Sequence, residues 1–162
     1  MAKRKSGGTP ALLALDAAKV EYVVHEYGHD ARAEVGFGLE GAAALGVDPH
    51  LIFKTLLAEV DGKLACAVVP ASGMLDLKSF AKAVGGKKAE MADPSVAERA
   101  TGYVVGGISP LGQKRQHPTV IDASAKEKET ILVSGGRRGL SVELAPTELA
   151  KLLRASFAPI GR

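Results

Sequence analysis

The chain has 162 residues, of which 46% are apolar and 24% charged, a balance typical of one globular domain rather than of a disordered chain. Aromatic residues make up 4% and tryptophan is missing, which argues against a protein that stacks single-stranded bases on an aromatic sheet. The net charge of +3 is only mildly basic, and we expect neither DNA nor a membrane as a partner.

Four helix starts are marked along the chain by a capping side chain or a proline next to an apolar stretch. A further, alanine-rich helix is predicted over 40–45. The four starts lie at Thr9-Pro10, Asp76, Asp93-Pro94 and Pro146.

Strands are predicted where short apolar runs are bounded by turn residues. Asp61-Gly62, the strongest short hairpin signal, joins two of these runs, and residues 135–139 turn another pair. Without a repeat or linker, the pattern predicts a single α+β domain over 9–162, preceded by a flexible basic tail over 1–8. The predicted strands cover residues 20–27, 51–60, 64–69, 103–105, 118–122, 130–134 and 140–144.

The single cysteine, Cys66, lies in the apolar strand 64–69. A lone cysteine excludes an internal disulfide and fits a reducing compartment, so we expect a cytoplasmic protein. Buried cysteine usually behaves as a small hydrophobe, and we interpret Cys66 as a core residue, with a catalytic thiol as the alternative.

Lys54 is the most informative polar residue, because it interrupts an apolar face of the strand 51–60. An ammonium on such a face must reach the strand's edge, find an anion or lose its proton. Lys54 is therefore a candidate for holding a negatively charged or electron-rich ligand at an apolar pocket. A lysine with only its stem buried is the alternative. Alternate strand residues share a face, which groups Lys54 with Ile52, Leu56, Ala58 and Val60.

A glycine-rich loop, Gly106-Gly107-Ile108-Ser109-Pro110, follows the apolar run at 103–105. Adjacent glycines let the backbone approach a ligand and turn its N–H groups outward. Pro110 limits the freedom of the loop, and Ser109 offers a hydroxyl. No Gly-Lys-Ser/Thr follows, so this is not a phosphate-binding P-loop, and an ordinary turn is the alternative.

Two other chemistries have little support. His25 and His29 are four residues apart but lie in a strand context, which argues against a zinc site. No nucleophile-elbow pattern surrounds Ser109 or Ser134, so neither is expected to be a protein nucleophile.

Three basic pairs fall in predicted turns beside strands. Turns at one end of a sheet would form a rim that contacts phosphates, and a solvated surface is the alternative. The pairs are Lys87-Lys88, Lys114-Arg115 and Arg137-Arg138.

Several segments, in their order along the chain, resemble the YbaK-type aminoacyl-tRNA deacylases. This family consists of free-standing editing domains similar to the insertion domain of bacterial prolyl-tRNA synthetases. The resemblance runs from about Thr9 to Phe157 and implies a YbaK-like fold, with a mixed, mainly antiparallel sheet or barrel-like core flanked by helices. It is carried by residues 53–57, 89–94, 101–103, 106–112, 118–122 and 133–140.

The resemblance also implies an activity, which is hydrolysis of the ester in mischarged Cys-tRNA(Pro). No metal, no other cofactor and no covalent enzyme intermediate are implied. The expected partners are the 3′ end of aminoacyl-tRNA and, transiently, prolyl-tRNA synthetase. For a cysteinyl substrate, the substrate's own thiol is the implied nucleophile.

Residue roles follow from the same resemblance. Lys54 matches the lysine that contacts the tRNA terminus and the substrate oxygen, and the loop matches the family's Gly-x-x-x-Pro loop. Ser141 stands where an aspartate is expected in close relatives, and Glu143, on the same strand face, is a candidate replacement. The implied catalytic residues are Lys54, Gly106, Gly107, Ile108, Ser109 and Pro110, and the implied substrate-binding residues are Tyr27, Phe53, Ser134 and Ser141.

Two alternatives stay open on the sequence. One is the editing of another small amino acid, such as alanine, because an apolar pocket separates analogues that differ by one methylene by only about 1–3 kcal/mol. The other is a non-catalytic module that binds tRNA or a synthetase, and the retained Lys54 and glycine loop argue against it.

Overall fold

The computed structural model describes residues 8–26, 46 and 48–162. The predicted tail over 1–8, apart from Gly8, and the predicted helix over 40–45 lie outside these residues. The helices are α1 (Pro10–Ala18), α2 (Leu77–Ala83), α3 (Pro94–Thr101) and α4 (Pro146–Leu153), with short 3-10 turns at Pro49–Leu51 and Ala123–Glu127. The strands are β1 (Val23–Glu26), β2 (Phe53–Val60), β3 (Lys63–Pro70), β4 (Ala89–Met91), β5 (Thr119–Asp122), β6 (Ile131–Arg137), β7 (Leu140–Leu144) and β8 (Ser156–Ala158).

The predicted caps start the helices. The Thr9 hydroxyl accepts from the Leu12 N–H at 3.2 Å, so α1 begins at the proline that follows. Asp76 accepts from the Ser79 N–H at 3.1 Å and starts α2 in the same way. Gly102, with φ at 84°, ends α3 in the left-handed conformation that glycine adopts without strain.

The strands form two sheets. The larger has the order β4-β2-β3-β5-β8, and the smaller has the order β1-β7-β6. Pairs β2–β3, β2–β4, β1–β7 and β6–β7 are antiparallel, whereas β3–β5 and β5–β8 are parallel. A parallel bridge between Ile52 and Leu132 joins the sheets where β2 begins. The predicted fold class, α+β with a mixed and mainly antiparallel core, is confirmed.

Helices cover the larger sheet on both faces. One face packs on α1 and α4 and on the smaller sheet, in a core that includes Leu15, Phe53, Ile131 and Leu149. The other face packs on α2 through Phe80. A third cluster joins α3 and the loop after it to β2 and β3, and it contains Leu57, Cys66, Ala97, Tyr103 and Ile108. This third cluster fixes the glycine loop beside β2.

Some predicted strands differ from the observed ones. Residues 103–105 form no strand, because Tyr103 turns inward and its hydroxyl donates to the Leu111 carbonyl at 2.6 Å, while Val104 is 53% exposed. The first strand begins only at Val23. The β6–β7 turn is shorter than predicted, since β6 continues to Arg137 through an irregularity in its pairing with β7. Strands β4 and β8 were not predicted.

None of the helices in the described ranges is long and apolar enough to cross a membrane.

Candidate active site

A cavity of about 360 Å³ lies between β2, the β6–β7 hairpin and the segment that contains α3 and the glycine loop. Its wall is mostly apolar, with a few polar side chains and no carboxylate among the described residues. The wall residues are Ile52, Phe53, Lys54, Thr55, Leu56, Leu57, Ala71, Met91, Ala92, Pro94, Ala97, Val105, Gly106, Ile108, Leu132, Val133, Ser134, Arg137, Leu140 and Ser141.

The cavity runs along an edge of β2 that β4 leaves open. Strand β4 pairs only with residues 58–60, whereas residues 53–57 all line the cavity. The Leu57 carbonyl accepts from the Ala92 N–H at 3.1 Å, on the side away from β3. Backbone groups alternate between the two sides of an antiparallel strand, so those of Thr55 also point away from β3. The edge thus brings both backbone and side chains of β2 to the cavity.

Lys54 lies in this wall, and its ammonium is held by a neutral group. Its Nζ donates to the Gly73 carbonyl at 2.7 Å, and partial burial lowers the pKa of the ammonium. The Gly73 loop is held in turn, because the backbones of Met74 and Arg162 exchange two hydrogen bonds of 2.7 and 2.8 Å. The lysine is therefore positioned without a carboxylate partner from the described part of the chain, which leaves its charge available to a ligand.

The glycine loop contributes Gly106 and Ile108 to the wall, but not its other three residues. Gly107 packs against the backbone of Arg137, where an added Cβ would lie 2.8 Å from Cα. Ser109 is fully buried, and its hydroxyl accepts from the Leu111 N–H at 3.1 Å. Pro110 lines a separate cavity of about 210 Å³ beside His117. The structure therefore separates the loop into wall residues and supporting residues.

Hydrogen bonds fix the shape of the loop. The Gln113 amide donates to the Ser109 carbonyl at 2.9 Å, and its oxygen lies 2.9 Å from Nδ1 of His117. The Gly107 N–H donates to the Val104 carbonyl at 2.8 Å. Among the described residues, the N–H groups of Gly106 and Ile108 donate to no protein acceptor, so these two wall residues carry backbone donors that the fold does not use.

Cys66 is buried behind the loop and does not line the cavity. Burial raises the pKa of its thiol to about 12, so the thiol stays protonated at neutral pH. Its environment is that of a core residue, as predicted.

The two predicted substrate-binding serines face each other across the β6–β7 hairpin in the wall. Ser134 is paired with Ser141 in the strand register, and the Ser134 hydroxyl accepts from the Gly136 N–H at 3.1 Å. Glu143 is not a wall residue, because its carboxylate accepts from Thr130 at 2.5 Å and lies 2.9 Å from Nε2 of His25. The hydrogen bond from Thr130, followed by that from His25, lowers the pKa of Glu143. The idea that Glu143 supplies the expected acidic contact has no support from these contacts.

The remaining predicted residues lie in the cavity wall or outside the described residues. Phe53 is in the wall and 2% exposed, whereas Tyr27 and His29 lie outside the described residues. Within the described part of the chain, no three histidine, cysteine or acidic residues cluster in a way that would hold a metal ion.

The basic residues of the three pairs have different surroundings. The Lys87 and Lys88 N–H groups bind the Asp61 carboxylate at 3.0 Å, at the far end of β2 from Lys54. At about 3.3 Å per strand residue, that end lies roughly 23 Å away. Only Arg137 among these residues lines the cavity, and it is paired with Glu26 at 2.6 Å. That the three pairs form a common rim stays a prediction.

Sequence reasoning missed two polar wall residues, Thr55 and Arg137. Thr55 could have been found from the sequence, because it is the one polar residue between Phe53 and Leu57 on an otherwise apolar strand face. Arg137 could not, because the sequence places it in a turn, and it lies in β6 only through the pairing of that strand with β7.

Comparisons with known proteins agree with this geometry. Residues 39–152 match the sequence profile of the aminoacyl-tRNA editing domain. A protein of Enterococcus faecalis named as a candidate Cys-tRNA(Pro)/Cys-tRNA(Cys) deacylase, EbsC, is 40% identical over 99% of this chain and 98% of its own length.

Two solved structures share the fold. A crystal structure described as a candidate trans-editing enzyme for prolyl-tRNA synthetase has a TM-score of 0.82 at 23% identity and covers 99% of both chains. The crystal structure of the hypothetical protein APE2540 has a TM-score of 0.84 at 25% identity and covers 94% of this chain and 99% of its own. The resemblance in the sequence motifs is confirmed, and the chain belongs to the aminoacyl-tRNA editing domain family.

Proposed function

We propose that this protein is an aminoacyl-tRNA hydrolase that removes cysteine mischarged onto the tRNA for proline. The observation that carries the proposal is the cavity at the open edge of β2, which combines a mostly apolar wall with Lys54 and two free backbone donors. Its volume of about 360 Å³ is at the small end of ligand sites and suits a small amino acid with its ester group. Family membership and the name of the relative from Enterococcus faecalis support the same activity.

The reaction needs no nucleophile from the protein. The thiol of the cysteinyl group attacks its own ester carbonyl, and a new carbon–sulfur bond forms as the bond to the ribose oxygen breaks. The thiol proton leaves to water, and the ribose oxygen takes up a proton to give free tRNA. Water then opens the strained thiolactone to cysteine. Proximity of the thiol and the carbonyl replaces a catalytic side chain, provided that the cavity holds the reactive conformer.

In this proposal, Lys54 and the loop stabilise the charge that develops on the carbonyl oxygen. The ammonium uses one of its three N–H donors on the Gly73 carbonyl at 2.7 Å, and the other two are left for a substrate oxygen. The N–H groups of Gly106 and Ile108 supply further donors, in the manner of an oxyanion hole. Gly107, Ser109 and Pro110 support these groups by holding the loop, and Phe53, Ser134 and Ser141 shape the space for the amino acid.

We also propose that tRNA affinity comes partly from a partner. We expect the protein alone to bind tRNA weakly, because its net charge of +3 is modest and Arg137 in the cavity wall is already paired with Glu26. A transient complex with prolyl-tRNA synthetase in the cytoplasm would raise the effective concentration of the charged 3′ end.

The mostly apolar wall is also compatible with the alternative activity, the removal of alanine from tRNA. Ser141 offers a hydroxyl where close relatives are expected to carry a carboxylate, so the wall lacks one charged contact that would select a substrate. Apolar contacts alone discriminate between alanine and cysteine by only about 1–3 kcal/mol.

A deacylation assay on a panel of charged tRNAs tests the proposal. Cys-tRNA(Pro) should be cleared and Pro-tRNA(Pro) spared, and added prolyl-tRNA synthetase should lower the enzyme concentration required. Clearance of Ala-tRNA(Pro) in preference to Cys-tRNA(Pro) would replace the proposal by the alternative activity. A protein that binds tRNA but clears none of the panel would be a non-catalytic module.

A further inference from the structure

One wall residue carries a polar atom that the protein leaves unsatisfied. Oγ1 of Thr55 is buried and has no hydrogen-bond partner, and among the described residues it is the one buried side-chain nitrogen or oxygen in that condition. Such an atom costs stability, because the hydrogen bonds it made with water in the unfolded chain are not replaced. Thr55 lies in the cavity wall rather than in the closed core, so rotation of its side chain would bring the hydroxyl to a ligand, which would then supply the missing partner.

The surroundings of Thr55 are those of a pocket for a small side chain. Its neighbours on the same strand face are Phe53, 2% exposed, and Leu57, 3% exposed, and its partner on β3 is Val68, which is fully buried. The charged wall side chains are those of Lys54 and Arg137, and Lys54 lies on the opposite face of β2 from the Thr55 side chain. The wall thus separates a part suited to the ester carbonyl from an apolar part with a single unsatisfied hydroxyl.

We propose that the Thr55 hydroxyl is a specificity-determining group, which hydrogen-bonds the polar atom at the tip of the substrate's side chain, the thiol of cysteine or the hydroxyl of serine. This inference rests on the proposed function and extends it to the choice of amino acid. A hydroxyl both donates and accepts, so it matches either tip. Alanine has no such atom and would leave Oγ1 unpaired in the complex.

The physical basis is the asymmetry of buried hydrogen bonds. An apolar pocket cannot strongly reject a side chain that lacks one group, whereas a site with an unpaired polar atom does, because that atom stays unsatisfied in the wrong complex. Thr55 would therefore select cysteine and serine over alanine in binding. The nucleophilic thiol would then select cysteine over serine in the chemical step.

The test compares Thr55→Val, which keeps the shape and removes the hydroxyl, with Thr55→Ser, which keeps the hydroxyl. Single-turnover deacylation of Cys-, Ser- and Ala-tRNA(Pro) is followed over a range of enzyme concentrations, and the half-saturating concentration is the readout. For Thr55→Val it should rise roughly tenfold for the cysteinyl and seryl substrates and stay unchanged for the alanyl one. Thr55→Ser should behave like the wild type.

Thermal unfolding provides the second measurement. Because the hydroxyl has no partner in the free protein, Thr55→Val should unfold at the same temperature as the wild type or a higher one. A clear loss of stability would mean that the hydroxyl has a structural partner, and would overturn the inference.

The remaining outcomes separate this inference from the proposed function. If Thr55→Val raised the half-saturating concentration equally for all three substrates, the hydroxyl would contact a part of the substrate that they share. If that concentration did not change for any substrate, the hydroxyl would have no role in recognition. Either result overturns the inference while the proposed function stands. A wild-type protein that clears none of the three would overturn both.

Discussion

The two sides of the cavity are built differently. On the loop side, the polar groups of Ser109, Gln113, His117 and Tyr103 are all engaged with one another or with the backbone. On the β2 side, the Lys54 ammonium donates to one carbonyl, and the Thr55 hydroxyl has no hydrogen-bond partner. The polar side chains on the loop side thus form a fixed frame that leaves only backbone N–H groups for a ligand, whereas the strand edge keeps polar side chains that a substrate can complete.

This difference assigns separate tasks to the two sides. Substitutions on the strand edge should change activity with little effect on stability, because the polar side chains there make few hydrogen bonds within the protein. Substitutions in the loop should change stability first and activity through it, since its hydrogen bonds and close packing maintain its shape.

Lys54→Ala should give the largest effect on activity. Loss of the ammonium from the carbonyl site should lower the single-turnover rate by at least about a hundredfold, as removal of one oxyanion donor does. The fold should stay intact, because the lost hydrogen bond to Gly73 is worth only about 1 kcal/mol and burial already opposes the charge of the lysine. Lys63→Ala, at the exposed start of β3, is the matched control. Near-wild-type turnover in a folded Lys54→Ala protein would remove Lys54 from the site.

Gly107→Ala should give the largest effect on stability within the loop. The new Cβ would lie 2.8 to 2.9 Å from the backbone of Arg137 and Arg138, so the loop must shift. We expect a loss of about 1–3 kcal/mol in the free energy of unfolding, with a severalfold lower rate. Gly8→Ala is the control, because its Cβ would meet nothing closer than 3.8 Å. Unfolding in urea measures the stability of both variants. Equal stability of Gly107→Ala and Gly8→Ala would contradict the packing role of Gly107.

Ser109→Ala should destabilise the protein without abolishing the reaction. It removes the acceptor of the buried Leu111 N–H, at a cost of about 1–3 kcal/mol. At a temperature well below unfolding, the deacylation rate should stay within severalfold of the wild type. A stable variant with no activity would make Ser109 a protein nucleophile after all.

Cys66→Ala should have the smallest effect on activity. The thiol is buried and its pKa is raised to about 12, so it is neutral at neutral pH. Its contribution to stability is fully present below the unfolded pKa of 9.0 and is lost as the pH rises toward 12. The free energy of unfolding, measured against pH for both proteins, should therefore converge at high pH. A stable but inactive Cys66→Ala protein would indicate that the Cys66 thiol takes part in catalysis.

Much of the fold was predictable, because local signals and tertiary structure agree there. Thr9, Asp76 and Gly102 mark helix ends by their own hydrogen bonds or backbone freedom, and Asp61-Gly62 sets the β2–β3 hairpin. Strands β4 and β8 have three residues each and are strands only because β2 and β5 offer them an edge. Residues 103–105 carry a strand-like pattern that the burial of Tyr103 overrides.

The site was predictable in part for the same reason. Lys54 and Phe53 were found from local pattern and motif, and both line the cavity. The division of the glycine loop into Gly106 and Ile108 in the wall and Ser109 behind it depends on contacts with Leu111 and Gln113, which spacing does not show. Arg137 reaches the cavity through strand pairing with β7, a contact that no local pattern encodes.

The central claim is that the substrate supplies the nucleophile, while the protein supplies the frame and the strand edge. It is tested most directly by single-turnover rates of Cys-, Ser- and Ala-tRNA(Pro) at saturating enzyme, where differences in binding no longer contribute. The cysteinyl ester should be cleared much faster than the seryl ester, which is nearly isosteric but far less nucleophilic, and the alanyl ester should be no faster than the seryl one. Equal rates for all three would contradict substrate assistance and assign the reaction to a water molecule held in the cavity.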